Sequence, residues 1–142
     1  MVVALGIAAG LVALTAALGL VLRARQGRVR HADATAVVDP AELSPTARFG
    51  ESATLLQFST EFCSSCPQSR RVLASVAAAR PGVVHLDVDL THRPDLARRF
   101  AVLQTPTTLL LDRHGVVHAR IGGAPAAQTV TTQLDRLIGG TA

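Results

Sequence analysis

Residues Met1 to Leu22 contain no charged side chain and consist almost wholly of Val, Ala, Leu, Gly and Ile. A run of that length and polarity has few ways to fold. As an α-helix it reaches about 33 Å at roughly 1.5 Å per residue, enough to cross a hydrocarbon core of about 30 Å. The sequence therefore predicts a single transmembrane anchor. A cleaved signal peptide would carry its basic residues ahead of the apolar run, whereas here they follow it. Arg23, Arg25, Arg28 and Arg30 come just after the span, and only the terminal amine stands before it. The positive-inside bias then keeps the C-terminal part in the cytoplasm, on a single-pass cell-membrane protein whose amino end faces out. The same arginines suit anionic lipid headgroups, at about 1 kcal/mol each near the surface. Gly6 and Gly10 give the small-xxx-small spacing that packs helix on helix, a spacing that chance supplies readily in so Ala- and Gly-rich a run.

With 142 residues, 49% of them apolar, there is room for one globular domain beyond the anchor. The net charge of +4 arises in the arginine cluster, since the ten arginines outside it match the 10 acidic residues. The domain is thus nearly neutral. The whole chain has no lysine, no Trp and no Tyr, and its aromatic residues are four Phe. Neither a basic face nor a stacking platform is available, so nucleic acid is excluded as a partner. The expected organisation is an anchor over residues 1–22, a basic juxtamembrane segment and linker over 23–50, and one domain over 51–142.

The only two cysteines lie in Phe62-Cys63-Ser64-Ser65-Cys66-Pro67, between an expected strand and an expected helix. Two thiols separated by two residues in the first turn of a helix close a disulfide with little backbone movement. The orphan amides and positive dipole end of that helix favour thiolate over thiol at Cys63, which makes it a nucleophile near neutral pH. A C-x-x-C also serves as half of a zinc site. No second cysteine pair exists, and if residues 116 to 121 form a strand, His114 and His118 stand about 13 Å apart at roughly 3.3 Å per residue, too far to share an ion. Redox chemistry is the expectation, with no metal and no cofactor beyond the two thiols.

Residues 31–50, with Pro40 and Pro45, show no sustained period and read as a linker, within which Ala36-Val37-Val38 suits a short edge strand. Thr54 to Phe58 is a short apolar run bounded by Ser and Thr, a buried strand. The segment to about Ala79 puts Val72, Val76 and Ala79 on one helical face, with Arg70 and Arg71 beside it, and Pro81-Gly82 stops it. Val83 to Val88 reads as a second strand, so that strand, helix and strand form a right-handed parallel crossover. Pro94 opens a short helix that ends near Phe100. Thr107 to Leu111 and Val116 to Ile121, joined by Asp112-Arg113-His114-Gly115, read as an antiparallel hairpin. Ala127, Val130, Leu134, Leu137 and Ile138 trace the stripe of a closing amphipathic helix.

Over roughly residues 50 to 140 the chain resembles the thioredoxin family. The resemblance rests on Leu56-Gln57-Phe58-Ser59-Thr60-Glu61-Phe62-Cys63-Ser64-Ser65-Cys66, on Val84-His85-Leu86-Asp87-Val88-Asp89, on Thr105-Pro106-Thr107-Thr108-Leu109-Leu110-Leu111 and on Gly122-Gly123. It implies an α/β thioredoxin-like fold, a central mixed sheet flanked by helices. It further implies an exposed attacking Cys63, a buried resolving Cys66 and a cis Pro106 whose loop lies against the cysteines. That loop would leave the Thr105 amide and carbonyl free to pair with an extended substrate segment, with Phe62 beside it.

Three departures from the family pattern bear on the chemistry. Gln57 stands where a buried Asp is common and His85 where a Lys is frequent, so proton transfer from Cys66 falls to His85, Glu61 or water. Phe62 replaces the customary Trp and loses the indole donor. Pro67 directly follows Cys66, where it removes at most one early helix bond. The reading is a membrane-anchored thiol-disulfide oxidoreductase that reduces protein disulfides and is recharged by an electron-donating reductase. Two alternatives accompany it: a thiol oxidoreductase outside the membrane, acting on exported proteins or apocytochromes, and a non-catalytic thioredoxin-like binding or scaffold domain.

Overall fold

A computed structural model describes residues 1–25, 27–31 and 36–140, with only the backbone described at Val2 and Arg25. Part of the expected linker, residues 32–35, thus lies outside the described residues, as does the Arg25 side chain. Helix α1 covers Val2–Arg25. Its stretch Val3–Ala24, 22 residues, is long and apolar enough to cross a membrane, and none of it is buried against the rest of the chain.

The remaining elements are β1 (Arg28–His31), α2 (Pro40–Leu43), β2 (Ala53–Ser59), α3 (Cys66–Ala78), β3 (Val83–Asp89), α4 (Pro94–Arg99), β4 (Thr107–Asp112), β5 (Val117–Gly122) and α5 (Ala127–Gly139). They build a five-stranded mixed sheet in the order β1-β5-β4-β2-β3. β2 and β3 are parallel, as two strands joined through a helix must be when they neighbour each other in one direction. β4 lies antiparallel to β2, and β5 antiparallel to β4.

Side chains of a strand alternate between faces, and both faces of β2 are covered, so all seven of its residues are buried. Leu55 joins Leu73 and Val76 of α3 and Val130, Leu134 and Leu137 of α5 on one face. Leu56 and Phe58 join Leu43, Leu96, Phe100, Leu109 and Leu111 on the other. Phe58 stacks on Phe100 with ring centroids 5.3 Å apart. Helices therefore flank the sheet on both sides, the thioredoxin-like α/β architecture expected.

Several elements differ in detail from the expectations. α3 buries Cys66, Ser69, Leu73, Val76 and Ala77, whereas Val72 is only half-buried and Ala79 is exposed at the helix end. Leu73 centres this face because α3 begins at Cys66 and packs on both β3 and α5. In α5, Val130, Leu134 and Leu137 are buried, but Ala127 is the first residue of the helix and stays exposed. The edge strand expected near Ala36-Val37-Val38 is a single antiparallel bridge from Val37 to Val116. The segment read from sequence as juxtamembrane also contains a strand: β1 pairs with β5 through Arg28↔Gly122, Val29↔Ile121, Arg30↔Arg120 and His31↔Ala119. Val29 packs on the α3/α5 core while Arg28 and Arg30 stay exposed.

Candidate functional site

The Cys63–Cys66 pair sits where β2 ends and α3 begins. Cys63 follows a turn closed by its own N–H donating to the Thr60 carbonyl at 3.2 Å, and the Cys66 N–H donates to the Cys63 carbonyl at 3.3 Å. The two are joined as a disulfide with Cα atoms 5.4 Å apart. The helix starts at Cys66, with Ser65 as its cap residue. Cys63 accordingly lies in the turn ahead of the helix rather than within its first turn, a correction to the spacing argument. Pro67 occupies the second helical position, where its missing N–H would have had no intrahelical partner.

Exposure divides the pair. Cys63 is partly exposed and Cys66 is only 2% exposed, covered by the sheet end. Beneath Cys66 lies Gln57, fully buried on the α3 side of β2. Its Nε2 donates to the Cys66 carbonyl at 3.2 Å. Its Oε1, which can only accept, lies 3.2 Å from His85 Nε2, so the imidazole carries its proton on that nitrogen. Burial is the main cause that holds His85 below its ordinary range; Asp87 pulls the other way and Arg70 adds to the lowering. The half-buried ring is therefore neutral at pH 7. The structure thus links His85 to Cys66 through one amide and through the backbone carbonyl, not through sulfur.

Side chains that the sequence did not single out complete this floor. Arg70, one turn into α3, pairs with Asp87 on β3, and Ser59 Oγ donates to the same carboxylate at 2.8 Å. This clamp ties the start of α3 to the edge of the sheet. Thr108 stands directly opposite Gln57 in the β2/β4 register, and its buried Oγ1 has no partner among the described residues. None of these carries a local sequence signal, because each acquires its role through a partner on another strand or helix. Glu61 is exposed, and its N–H donates to Thr91 Oγ1 at 3.0 Å. It does not join the Gln57–His85 chain.

The Thr105–Pro106 bond is cis. Pro106 is buried, and its carbonyl accepts from the Gly123 N–H at 2.8 Å, which pins the loop to the end of β5. Thr105 Oγ1 lies 3.3 Å from Thr60 Oγ1, so this loop meets the turn that carries Cys63. Among the described residues the Thr105 N–H and C=O make no backbone hydrogen bond. Phe62 is 88% exposed and Leu103 is 96% exposed, two large apolar side chains in the loops that leave this end of the sheet. The two histidines weighed as metal ligands go elsewhere. His118 Nε2 lies 3.0 Å from Asp112, and His114 Nε2 accepts from Arg113.

The family model for thioredoxin matches residues 35–136, most of the chain and all of this site. The chain belongs to the thioredoxin family. A curated Streptomyces coelicolor relative designated a thioredoxin is 33% identical over 73 residues, covering 51% of this chain and 54% of its own length. The chain thus spans about half the length of the curated relative it matches. Among solved structures, malaria-parasite thioredoxin-2 superposes with a TM-score of 0.57 at 20% identity over 65% of this chain and 89% of its own. Oxidised mitochondrial thioredoxin 3 of Saccharomyces cerevisiae does so with 0.52 at 22% identity, over 60% and 78% respectively. At these identities the likeness carries the fold alone. The family match and the paired cysteines make this a thioredoxin redox domain, with thiol-disulfide exchange as its kind of activity.

Proposed function

We propose that this thioredoxin domain is held at the cell membrane by α1 and reduces disulfides in protein substrates from the cytoplasmic side. The observation that carries the chemistry is the unequal exposure of one cysteine pair, with Cys63 open beside the Thr105–Pro106 loop and Cys66 covered. In the reduced protein the Cys63 thiolate attacks one sulfur of the substrate disulfide. A Cys63–substrate disulfide forms and the substrate's other sulfur leaves as thiolate. Cys66 then attacks Cys63 Sγ and releases the second substrate thiol. Two electrons pass to the substrate, and Cys63–Cys66 is left oxidised. A dithiol-bearing reductase returns the two electrons. Thr105 offers its unpaired N–H and C=O to an extended substrate strand, with Pro106 shaping that loop and Phe62 supplying apolar contact.

The Cys66 proton is the step for which Gln57 matters. Gln57 cannot take a proton and serves to hold the Cys66 backbone. His85, neutral and joined to Gln57, is the titratable group nearest along this chain of hydrogen bonds, with water as the carrier to the sulfur. Glu61 is the less favoured acceptor because its carboxylate lies out in solvent.

Single-cysteine variants test the reading. Cys63→Ser abolishes reduction of a protein disulfide, while Cys66→Ser traps a mixed disulfide, since attack proceeds and resolution does not. Loss of activity in both variants with no adduct in the second would instead support the scaffold alternative.

A further inference from the structure

The sheet register brings the membrane anchor to the catalytic end of the domain. One row of paired residues crosses all five strands: Arg28 faces Gly122, Gly122 faces Thr107, Thr107 faces Phe58 and Phe58 faces Val88. This row borders the redox site, because Thr107 follows Pro106 directly and Phe58 leads through Thr60 into Cys63. Arg28 is also the first residue of β1, and only residues 26 and 27 separate it from the last residue of α1. Three residue steps span at most about 11 Å. The Gly27 N–H donates to the Gly122 carbonyl at 2.8 Å, so the chain is already fastened to this end of the sheet before β1 begins. Gly27 takes φ +70°, a backbone angle that favours glycine, as the chain passes into β1.

Arg28 and Phe58 are three strand spacings apart, about 14 Å. The opposite end of the sheet, at Asp112, lies a further 17 Å or so along β4. An anchor joined to the domain only through a long linker over residues 31–50 would leave the redox site free to face any direction. A two-residue joint at the row next to Pro106 does not. The exposed Phe62 and Leu103 belong to the same end, and the exposed Arg28 flanks the joint.

We infer that the redox partner of this domain is an integral membrane protein whose disulfide lies close to the bilayer surface. The inference rests on the membrane-anchor reading. A soluble partner would have to enter between the domain and the headgroups, whereas a partner fixed in the same bilayer meets Cys63 at high effective concentration.

The test uses the full chain in vesicles of phosphatidylcholine and phosphatidylglycerol, reduced beforehand with a soluble dithiol and followed for one turnover. The probes are a transmembrane peptide with a disulfide loop a few residues outside its span, and the same peptide with the loop raised on a rigid helical spacer of about 30 residues, roughly 45 Å. The native chain reduces the near loop at least about tenfold faster than the raised one. The same spacer inserted between Gln26 and Gly27 removes or reverses that preference and leaves the rate on a small soluble disulfide unchanged. Equal native rates on the two peptides, or a preference that the insertion does not alter, overturn the inference.

Should the insertion variant lose activity on the soluble disulfide, a second measurement decides. Energy transfer to headgroup-labelled lipid is greater from a dye on Cys63 in Cys66→Ser than from a dye on Arg113→Cys in a chain carrying Cys63→Ser and Cys66→Ser. Equal or weaker transfer from Cys63 overturns the inference. Release of the native chain from vesicles by alkaline carbonate would instead overturn the anchor reading on which it stands. A chain that stays bound and still reduces both peptides equally overturns the partner assignment alone.

Discussion

Gln57 and Cys66 are joined by a hydrogen bond from the buried side-chain amide of the first to the main-chain carbonyl of the second, 3.2 Å long. The period of β2 places Gln57 on the face covered by α3, and the helix start places Cys66 directly above it. The hydrogen-bonded chain beneath Cys66 therefore runs through a neutral amide, with His85 as its titratable end.

Replacing Gln57 with Leu removes both amide bonds and leaves the Cys66 carbonyl and His85 Nε2 to find other partners. Loss of a buried partner costs about 1–3 kcal/mol. Equilibrium denaturation of the oxidised protein measures it. An unchanged midpoint would mean that water fills both roles.

His85 contributes a pH dependence whose sign follows from its lowered pKa. The unfolded chain takes up a proton near the ordinary value of about 6.5, while the folded chain holds the ring neutral to lower pH. Its contribution is complete above that value and is lost as pH falls below it. His85→Gln keeps a donor for Gln57 and flattens the stability profile as pH falls through about 6.5. A variant with the native slope would assign the dependence to another group.

Phe58 fills the second core against Phe100 and is fully buried. Phe58→Ala destabilises the domain by about 3–5 kcal/mol through lost burial and a residual cavity. Thermal unfolding reads this directly, and a loss well under that range would require the core to collapse around the gap.

Phe62, by contrast, packs against little. Phe62→Ser changes stability by no more than about 0.5 kcal/mol, yet raises KM for a protein disulfide while leaving the rate on a small disulfide near the native value. Equal effects on both substrates would remove Phe62 from substrate contact.

Replacing Arg23, Arg25, Arg28 and Arg30 with neutral residues, and adding basic residues before Val2, weakens or reverses the orientation of the anchor. In intact cells carrying the native sequence, a membrane-impermeant thiol reagent misses reduced Cys63 and reaches it after permeabilisation. Equal labelling before and after would put the domain outside and favour the alternative of an oxidoreductase for exported proteins.

Several elements were legible along the chain because their causes are local. An uncharged apolar run predicts α1; two-residue alternation and bounded apolar runs predict β2 to β5; spaced aliphatics predict α5. The C-x-x-C, with the family resemblance around it, pointed to the redox pair and to the cis bond at Pro106. What the tertiary structure alone decided depends on partners distant in sequence. Arg28 to His31 has no strand-forming pattern of its own, with Val29 its one apolar residue, and becomes β1 because β5 offers a free edge to its backbone groups. Arg70, Asp87 and Ser59 form a clamp only once α3 lies across β3. The helix begins at Cys66 and not at Cys63 because the Thr60 turn, set against Thr105, takes up the first cysteine. Alternation and hydropathy are properties of neighbours in sequence, whereas strand order, register and buried hydrogen bonds belong to neighbours in space.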